Sequence, residues 1–334
     1  MRAPTSSLHP RTGALRSAVI VNPVKVPDRD VLHRTIVDAL TAAGWPEPMW
    51  LETTVGDPGS GQARQAVRDG AELVFACGGD GTVMSCVTVL AGTDIALAVL
   101  PAGISNLLAA SLGLTGDVAA GIEVVLQGGR RRIDVGCVGE QSFAVMAGMG
   151  FDVQMLVATN DDTASKPVGW LAWFAGAVRH LRDRPMRIRL ILDDRLSFNR
   201  RPCAVIVGNA GRLRGGMRLL DDAPPEDGLL DVTVLSPRTL GHWLSPGWAV
   251  LRRKEVVPCM ETFTASRVEI RSNRVQPRQL DGDPIESGKQ LLVTVRPQAL
   301  LLCVPCPTTD PGVATAGGDP SAIQHRVHRV DKRM

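Results

Sequence analysis

Residues 73–83, LVFACGGDGTV, restrict this chain more than any other stretch. The run Leu73-Val74-Phe75-Ala76 has no polar interruption, so it reads as a strand apolar on both faces. It empties into Gly78-Gly79-Asp80-Gly81-Thr82, after which Val83, Cys86, Val87 and Leu90 return at helical spacing. A strand covered on both sides belongs to a parallel sheet sandwiched between helices. The same alternation recurs nearby. Ala18–Val21, Met49–Leu51 and Ile95–Leu100 read as strands; residues 30–43 and 61–69 read as helices, closed by Gly44 and Gly70. Ligands of such sheets bind beyond the carboxyl ends of the strands, the edge where the glycine loops 77–82 and 101–106 fall.

Past residue 133 the period changes. Met186–Leu190, Leu230–Val234 and Val268–Arg271 alternate apolar with polar, as half-exposed antiparallel strands do. Cys203–Val207 and Leu291–Val295 are further strands. The expected architecture is α/β plus β: an α/β domain with a parallel sheet over 17–133 and a second, mainly antiparallel β domain over 134–306, with one or two helices inserted. Residues 1–16 and 307–334 are expected to be disordered. At 44% hydrophobic, 334 residues suffice for two cores. A net charge of only +3 gives no reason to expect nucleic acid. Neither a membrane span nor a secretory leader is legible. Seven scattered cysteines fit reduced thiols and a cytoplasmic protein. The Cys303-x-x-Cys306 pair has no second pair to make a zinc site.

Glycines let a ligand approach the backbone, and the amides at the following helix start favour phosphate. An aspartate inside such a loop would repel phosphate directly. Asp80 therefore makes sense beside a magnesium ion or as a proton acceptor, with Thr82 placed to cap the helix or touch a phosphate. A tight turn whose aspartate merely caps the helix is the plain alternative. The chain has no GxxxxGK[ST], so it is not a P-loop protein; the lack of GxGxxG after the first strand weakens a dinucleotide-binding reading, and without GxSxG or HExxH hydrolase triads and zincins have no support.

Five motifs occur in order: VNPVK (21–25), GGDGT (78–82), PAGISN (101–106), DDAPPEDGLLDV (221–232) and LDGDPIE (280–286). That set resembles the diacylglycerol kinase catalytic-domain family, in particular bacterial soluble lipid kinases related to sphingosine kinases. The resemblance covers about residues 17–306. It implies a three-layer nucleotide-binding α/β domain over 17–133, a β-sandwich lipid domain over 134–306, and an ATP- and Mg²⁺-dependent transfer of phosphate to a lipid hydroxyl in the active-site cleft between them. By the same resemblance Asn22, Pro23, Thr54 (or Thr53), Gly78, Gly79, Asp80, Gly81, Thr82, Gly103, Ser105 and Asn106 line the nucleotide. Lys25 stands where the family has a glycine and offers a cation instead. Gly103-Ile104-Ser105-Asn106 lacks the family's threonine. Asp227, with backbone carbonyls near Pro224 and Leu229, resembles a structural Mg²⁺ site, although Pro and Gly alone would make an acidic turn there. Asp281-Gly282-Asp283 replaces Asp-Gly-Glu, which makes Asp283 the implied base, with Asp281 and Asp80 as supporting carboxylates.

Two segments suit a bilayer interface: Trp170–Arg182, with aromatic groups and terminal cations, and Trp243–Lys254. Packing on the β domain would explain both equally. The expected partners are a lipid substrate at a membrane surface, peripheral contact with the inner face of the membrane and no nucleic acid; a homodimer is open to it. Two other readings stay open: a kinase of a soluble hydroxyl compound, as in NAD kinases, and a weakened nucleotide or lipid sensor.

Overall fold

The computed structural model describes residues 13–26, 28–101, 108–109, 118–150, 185–209, 226–236 and 260–305. The segments Trp170–Arg182 and Trp243–Lys254, the loop residues Gly103, Ser105 and Asn106, Pro224, Cys306 and the tail lie outside these residues.

The first half alternates as its apolar runs require. Strands β1 (Ser17–Val21), β2 (Met49–Glu52), β3 (Leu73–Gly78) and β4 (Ala96–Pro101) are parallel and stand in the order 2-1-3-4. Helices α1 (Arg29–Ala42), α2 (Ser60–Arg68), α3 (Asp80–Leu90) and α4 (Val118–Leu126) cover them. Every residue of β1 and β3 is buried, and the two faces feed different cores. Ala18, Ile20, Val74, Ala76, Leu97 and Val99 pack with Ala63, Ala66, Val83, Cys86 and Val87 of α2 and α3. Val19, Val21, Leu73, Phe75, Ala98 and Leu100 pack with Leu32, Ile36 and Leu40 of α1 and Ile122 and Val125 of α4. Burial on both faces is why these strands read as unbroken apolar runs.

The second half is antiparallel: β5 (Arg130–Val138), β6 (Gln141–Phe143), β7 (Met146–Gly150), β8 (Ile188–Leu192), β9 (Leu196–Arg200), β10 (Ala204–Gly208), β11 (Leu230–Leu235), β12 (Met260–Ala265), β13 (Arg267–Leu280) and β14 (Asp283–Cys303). One run of pairing is β12-β11-β10-β7-β13, and a second is β9-β8-β13-β14-β5-β6. Strand β13 belongs to both. Its residues 268–272 pair with β8 and its residues 278–280 with β7, with register shifts against β14 between 271 and 278. A strand that changes sheets through a bulge makes the corner of a sandwich. Between the layers lie Met149, Ile188, Leu190, Val205, Val207, Val232, Val268, Ile270, Leu280, Leu291 and Val293. An Arg200–Glu261 ion pair of 2.8 Å joins β9 to β12, the outer strands of the two layers.

The alternation of residues 291–295 suggested a short strand, but β14 is 21 residues long. Ser287, Gly288 and Pro297 hide its length, because they sit at irregularities where no side-chain period is kept. Its end reaches back: Leu301 and Leu302 pair in parallel with Ala96 and Leu97 of β4. One strand thus runs from the sandwich into the first sheet.

Candidate active site

The order 2-1-3-4 places the reversal of strand order between β1 and β3, where crossovers leave in opposite directions and a crevice opens at the carboxyl edge. The two loops flanking that crevice are those starting at Asn22 and Gly78. They are joined: the Asn22 amide donates to Cys77 O (2.9 Å), and Asn22 Nδ2 reaches Thr82 Oγ1 at 3.5 Å. Asn22 Oδ1 accepts from Val24 N (3.0 Å), which folds Asn22-Pro23-Val24-Lys25 into a tight turn and leaves Lys25 exposed. Thr82 is buried in the first turn of α3. Gly79 precedes that helix in an extended conformation, and no side chain caps the helix start. Asp80 is its first residue.

Of the two candidate threonines, Thr53 is buried and ties its amide to Val21 O (2.9 Å). Thr54 is exposed, and its hydroxyl accepts from Asp57 N (3.1 Å). Asp57 in turn accepts from the amides of Gly59 and Gly61 and secures the start of α2.

The far wall comes from the sandwich. Leu280 pairs with Asp283, so Asp281-Gly282 is a two-residue hairpin turn between β13 and β14. Both turn residues have positive φ (45° and 92°), which is the conformation Asp-Gly favours in such hairpins. The turn carries the Asp283 carboxylate onto the glycine loop: a Cβ on Gly81 would lie 3.0 Å from Asp283 Oδ2. Two motifs separated by about two hundred residues of sequence thus meet, and a side chain at Gly81 would press on the Asp283 carboxylate. Asp283 is exposed as a residue, yet partial burial of its carboxyl raises its pKa.

Asp281 faces the other way. It is 5% exposed; Oδ2 accepts from Ala144 N (2.9 Å) and Oδ1 from Val145 N (3.0 Å) and Met146 N (2.7 Å). Burial pushes its pKa up to about 6, against the opposing pull of the three amides. With both oxygens engaged it anchors the hairpin to the start of β7. Gln279 Oε1 accepts from Gly282 N (2.7 Å) and braces the same turn.

Helix α3 is held by both halves of the protein. Thr88 Oγ1 accepts from Ser142 N of β6 (3.2 Å), Met84 packs on the sandwich core, and Gly92 N donates to Ala299 O of β14 (2.6 Å).

Asp227 lies apart, exposed, with Oδ1 accepting from Leu229 N (2.9 Å). Beside it is a carboxylate that sequence reasoning missed. Asp134 is buried and accepts from Gly228 N and Gln298 N, both at 2.7 Å. Burial raises the Asp134 pKa, the two amides oppose the rise, and the charges of Asp227 and Glu226 add to it. Glu226 is paired with Arg131. Asn209 was missed too. It is buried at the end of β10 and donates to Asp134 O (2.6 Å) and Ala144 O (3.0 Å). Its signal was an asparagine closing an apolar strand, as Asn22 does. Among the described residues no group of three or more histidine, cysteine, aspartate or glutamate side chains is gathered for a metal.

Two family models match the chain: the diacylglycerol kinase catalytic domain over residues 16–138, and the YegS C-terminal NAD kinase beta sandwich-like domain over 144–304. A probable YegS-like lipid kinase of Pseudomonas fluorescens is 30% identical over 282 residues, 81% of this chain and 90% of that one. A diacylglycerol kinase of Bacillus subtilis is 27% identical over 279 residues, 80% and 89% of the two chains. The crystal structure of a putative diacylglycerol kinase from Bacillus anthracis superposes with a TM-score of 0.70 at 18% identity, covering 88% of this chain and 98% of that one, which shows a shared fold. No helix among the described residues is long and apolar enough to cross a membrane.

Proposed function

This chain belongs to the diacylglycerol kinase-like lipid kinases, and from that premise we propose that it transfers the γ-phosphoryl group of ATP, with Mg²⁺, to a hydroxyl of diacylglycerol or a similar lipid. The observation that carries the reading is the approach of Asp283 to Gly81. It sets a carboxylate against a glycine loop at a helix start, in the crevice where this sheet order favours ligands.

The site fits a nucleotide. A Cβ on Gly79 would meet nothing within 4 Å, so the loop's surface is open there, and the uncapped helix start suits phosphate. Gly78 to Thr82 would hold the phosphates, with Asn22 and Pro23 shaping the neighbouring loop and Lys25 supplying a cation. Mg²⁺ would neutralise charge on the phosphates when bound. One carboxylate suffices to share such an ion with phosphates, because Mg²⁺ keeps several waters, and Asp80 is the residue for that role. A second Mg²⁺ would sit at Asp227 and the carbonyl of Leu229, in a loop whose acidity Glu226 and Asp134 reinforce.

Asp283 acts as the base. Its carboxyl orients the lipid hydroxyl and accepts its proton while the oxygen attacks phosphorus. Burial of the carboxyl raises its pKa, the direction that makes it a stronger proton acceptor. Asp281 works through Asp283, by fixing the turn that presents it. Most of the rate then comes from positioning.

The test is transfer of labelled γ-phosphate to diacylglycerol, monoacylglycerol, phosphatidylglycerol and sphingosine in mixed micelles, with Asp283→Asn beside the wild type. Activity on one lipid that the substitution abolishes is expected. Transfer to a soluble hydroxyl compound alone would overturn the reading.

A further inference from the structure

The outer face of the β9-β8-β13-β14 layer carries a row of cations with too few carboxylates to match. Arg189 of β8 stands directly opposite Arg271 of β13, and Asn199 and Gln290 complete that rung. Arg187, two positions before Arg189 and so on the same face, has its carbonyl bonded to Asn273 N on the next rung. Arg187, Arg189 and Arg271 are all exposed. Glu269 lies one rung further along, opposite Ile191, and is taken up by Arg271 Nε (2.6 Å) and Gln290 Nε2 (2.5 Å). Asp194 is taken up by Arg267. Arg189 donates to Ser197 Oγ (2.9 Å), and neither Arg187 nor Arg189 has a carboxylate partner among the described residues.

Like charges directly opposite in a sheet are unfavourable. Cations on edge strands deter strand addition, but β8 and β13 each have a neighbour on both sides, so that explanation does not reach them. An anionic partner would relieve the repulsion. The face is a sheet surface without aromatic side chains on these rungs, so it offers bases nothing to stack on, and it suits a broad anionic plane. We propose that this arginine face, centred on Arg187, Arg189 and Arg271, docks on anionic phospholipid headgroups at a bilayer surface. The inference rests on the lipid-kinase reading for its choice of partner and gives that enzyme a means of reaching its substrate. Strand β13 carries both the face and, at its far end, the turn that presents Asp283.

Each arginine near an anionic leaflet strengthens binding by about five-fold. The full-length chain is sedimented with vesicles of phosphatidylcholine alone or of phosphatidylcholine with phosphatidylglycerol. Wild type is expected to bind the second kind, less so as salt rises, and not the first. The double variant Arg187→Gln/Arg189→Gln is expected to bind roughly thirty-fold more weakly, with unchanged thermal unfolding, and the Lys/Lys variant to retain binding. Equal binding by the Gln/Gln variant, equal binding to both vesicle types, or tighter binding to a DNA duplex would each overturn the proposal. Phosphorylation of a short-chain, monomeric diacylglycerol needs no docking and should be equal in wild type and double variant. If neither transfers phosphate, the kinase reading fails, while the vesicle result still decides the docking surface.

Discussion

Asp283 Oδ2 lies 3.0 Å from the point where a side chain on Gly81 would begin. The two residues come from different halves of the fold, and their approach joins the glycine loop that follows β3 to the hairpin between β13 and β14.

Replacing Gly81 with alanine separates chemistry from folding. Gly81 is in the first turn of α3, where alanine favours the helix by up to about 1 kcal/mol. Stability should hold or rise, while the new methyl displaces the carboxylate and turnover falls about ten-fold to a hundred-fold. Thermal unfolding and lipid-kinase kinetics on the same preparation check this. A fully active Gly81→Ala protein would show that Asp283 is free to sit elsewhere.

Asp283→Asn keeps the shape and removes the base. Turnover should drop by about a hundred-fold to ten-thousand-fold, with stability within roughly 0.5 kcal/mol of wild type because the residue is exposed. Asp283→Glu is also expected to lose activity, since the added methylene has to pass Gly81. A gain with glutamate would mean the aspartate falls short of its substrate.

Asp281→Asn should destabilise the protein by about 1–3 kcal/mol, because the new NH₂ turns a donor towards one of the amides of Ala144, Val145 and Met146. Its pH dependence has an unusual sign. The folded carboxyl titrates at about 6, above the ordinary aspartate value, so between the two the folded chain holds a proton that the unfolded chain has lost. That contribution is complete below the unfolded value and is lost as pH rises through about 6. The penalty of Asp281→Asn should therefore be larger near about pH 5 than near about pH 7.5, by denaturant unfolding. The reverse trend would mean that the three amides outweigh burial.

Gly282 has φ 92°, and alanine there should cost about 1–2 kcal/mol. Activity should fall with it, since this turn presents Asp283; normal kinetics in a destabilised protein would uncouple turn from site.

Much of this was legible in the sequence. The parallel strands announce themselves because burial on both faces leaves no polar residue to blur them, and GGDGT stands where a strand hands over to a helix. The motif at 280–283 is read differently by structure. Asp281 and Asp283 look like a pair of catalytic carboxylates, but the two-residue turn sends them to opposite sides, one among backbone amides and one into the crevice. Asp281-Gly282 is also a two-residue hairpin signature, and that geometry decides which carboxylate faces the glycine loop. Asn209 and Asp134 escaped notice because they meet only through the pairing of distant strands. The length of β14 is hidden by Gly288 and Pro297 at its register shifts.

The return of β14 to the first sheet has a consequence for how the chain is made. The edge of β4 that Leu301 and Leu302 cover stays unpaired until they emerge, roughly two hundred residues after Ala96 and Leu97. Completion of the first sheet therefore has to wait until the end of β14 has left the ribosome. Closing so large a loop is slow, and an open strand edge in the meantime invites the wrong partners. The two halves should acquire their stability together, late, in a single cooperative step.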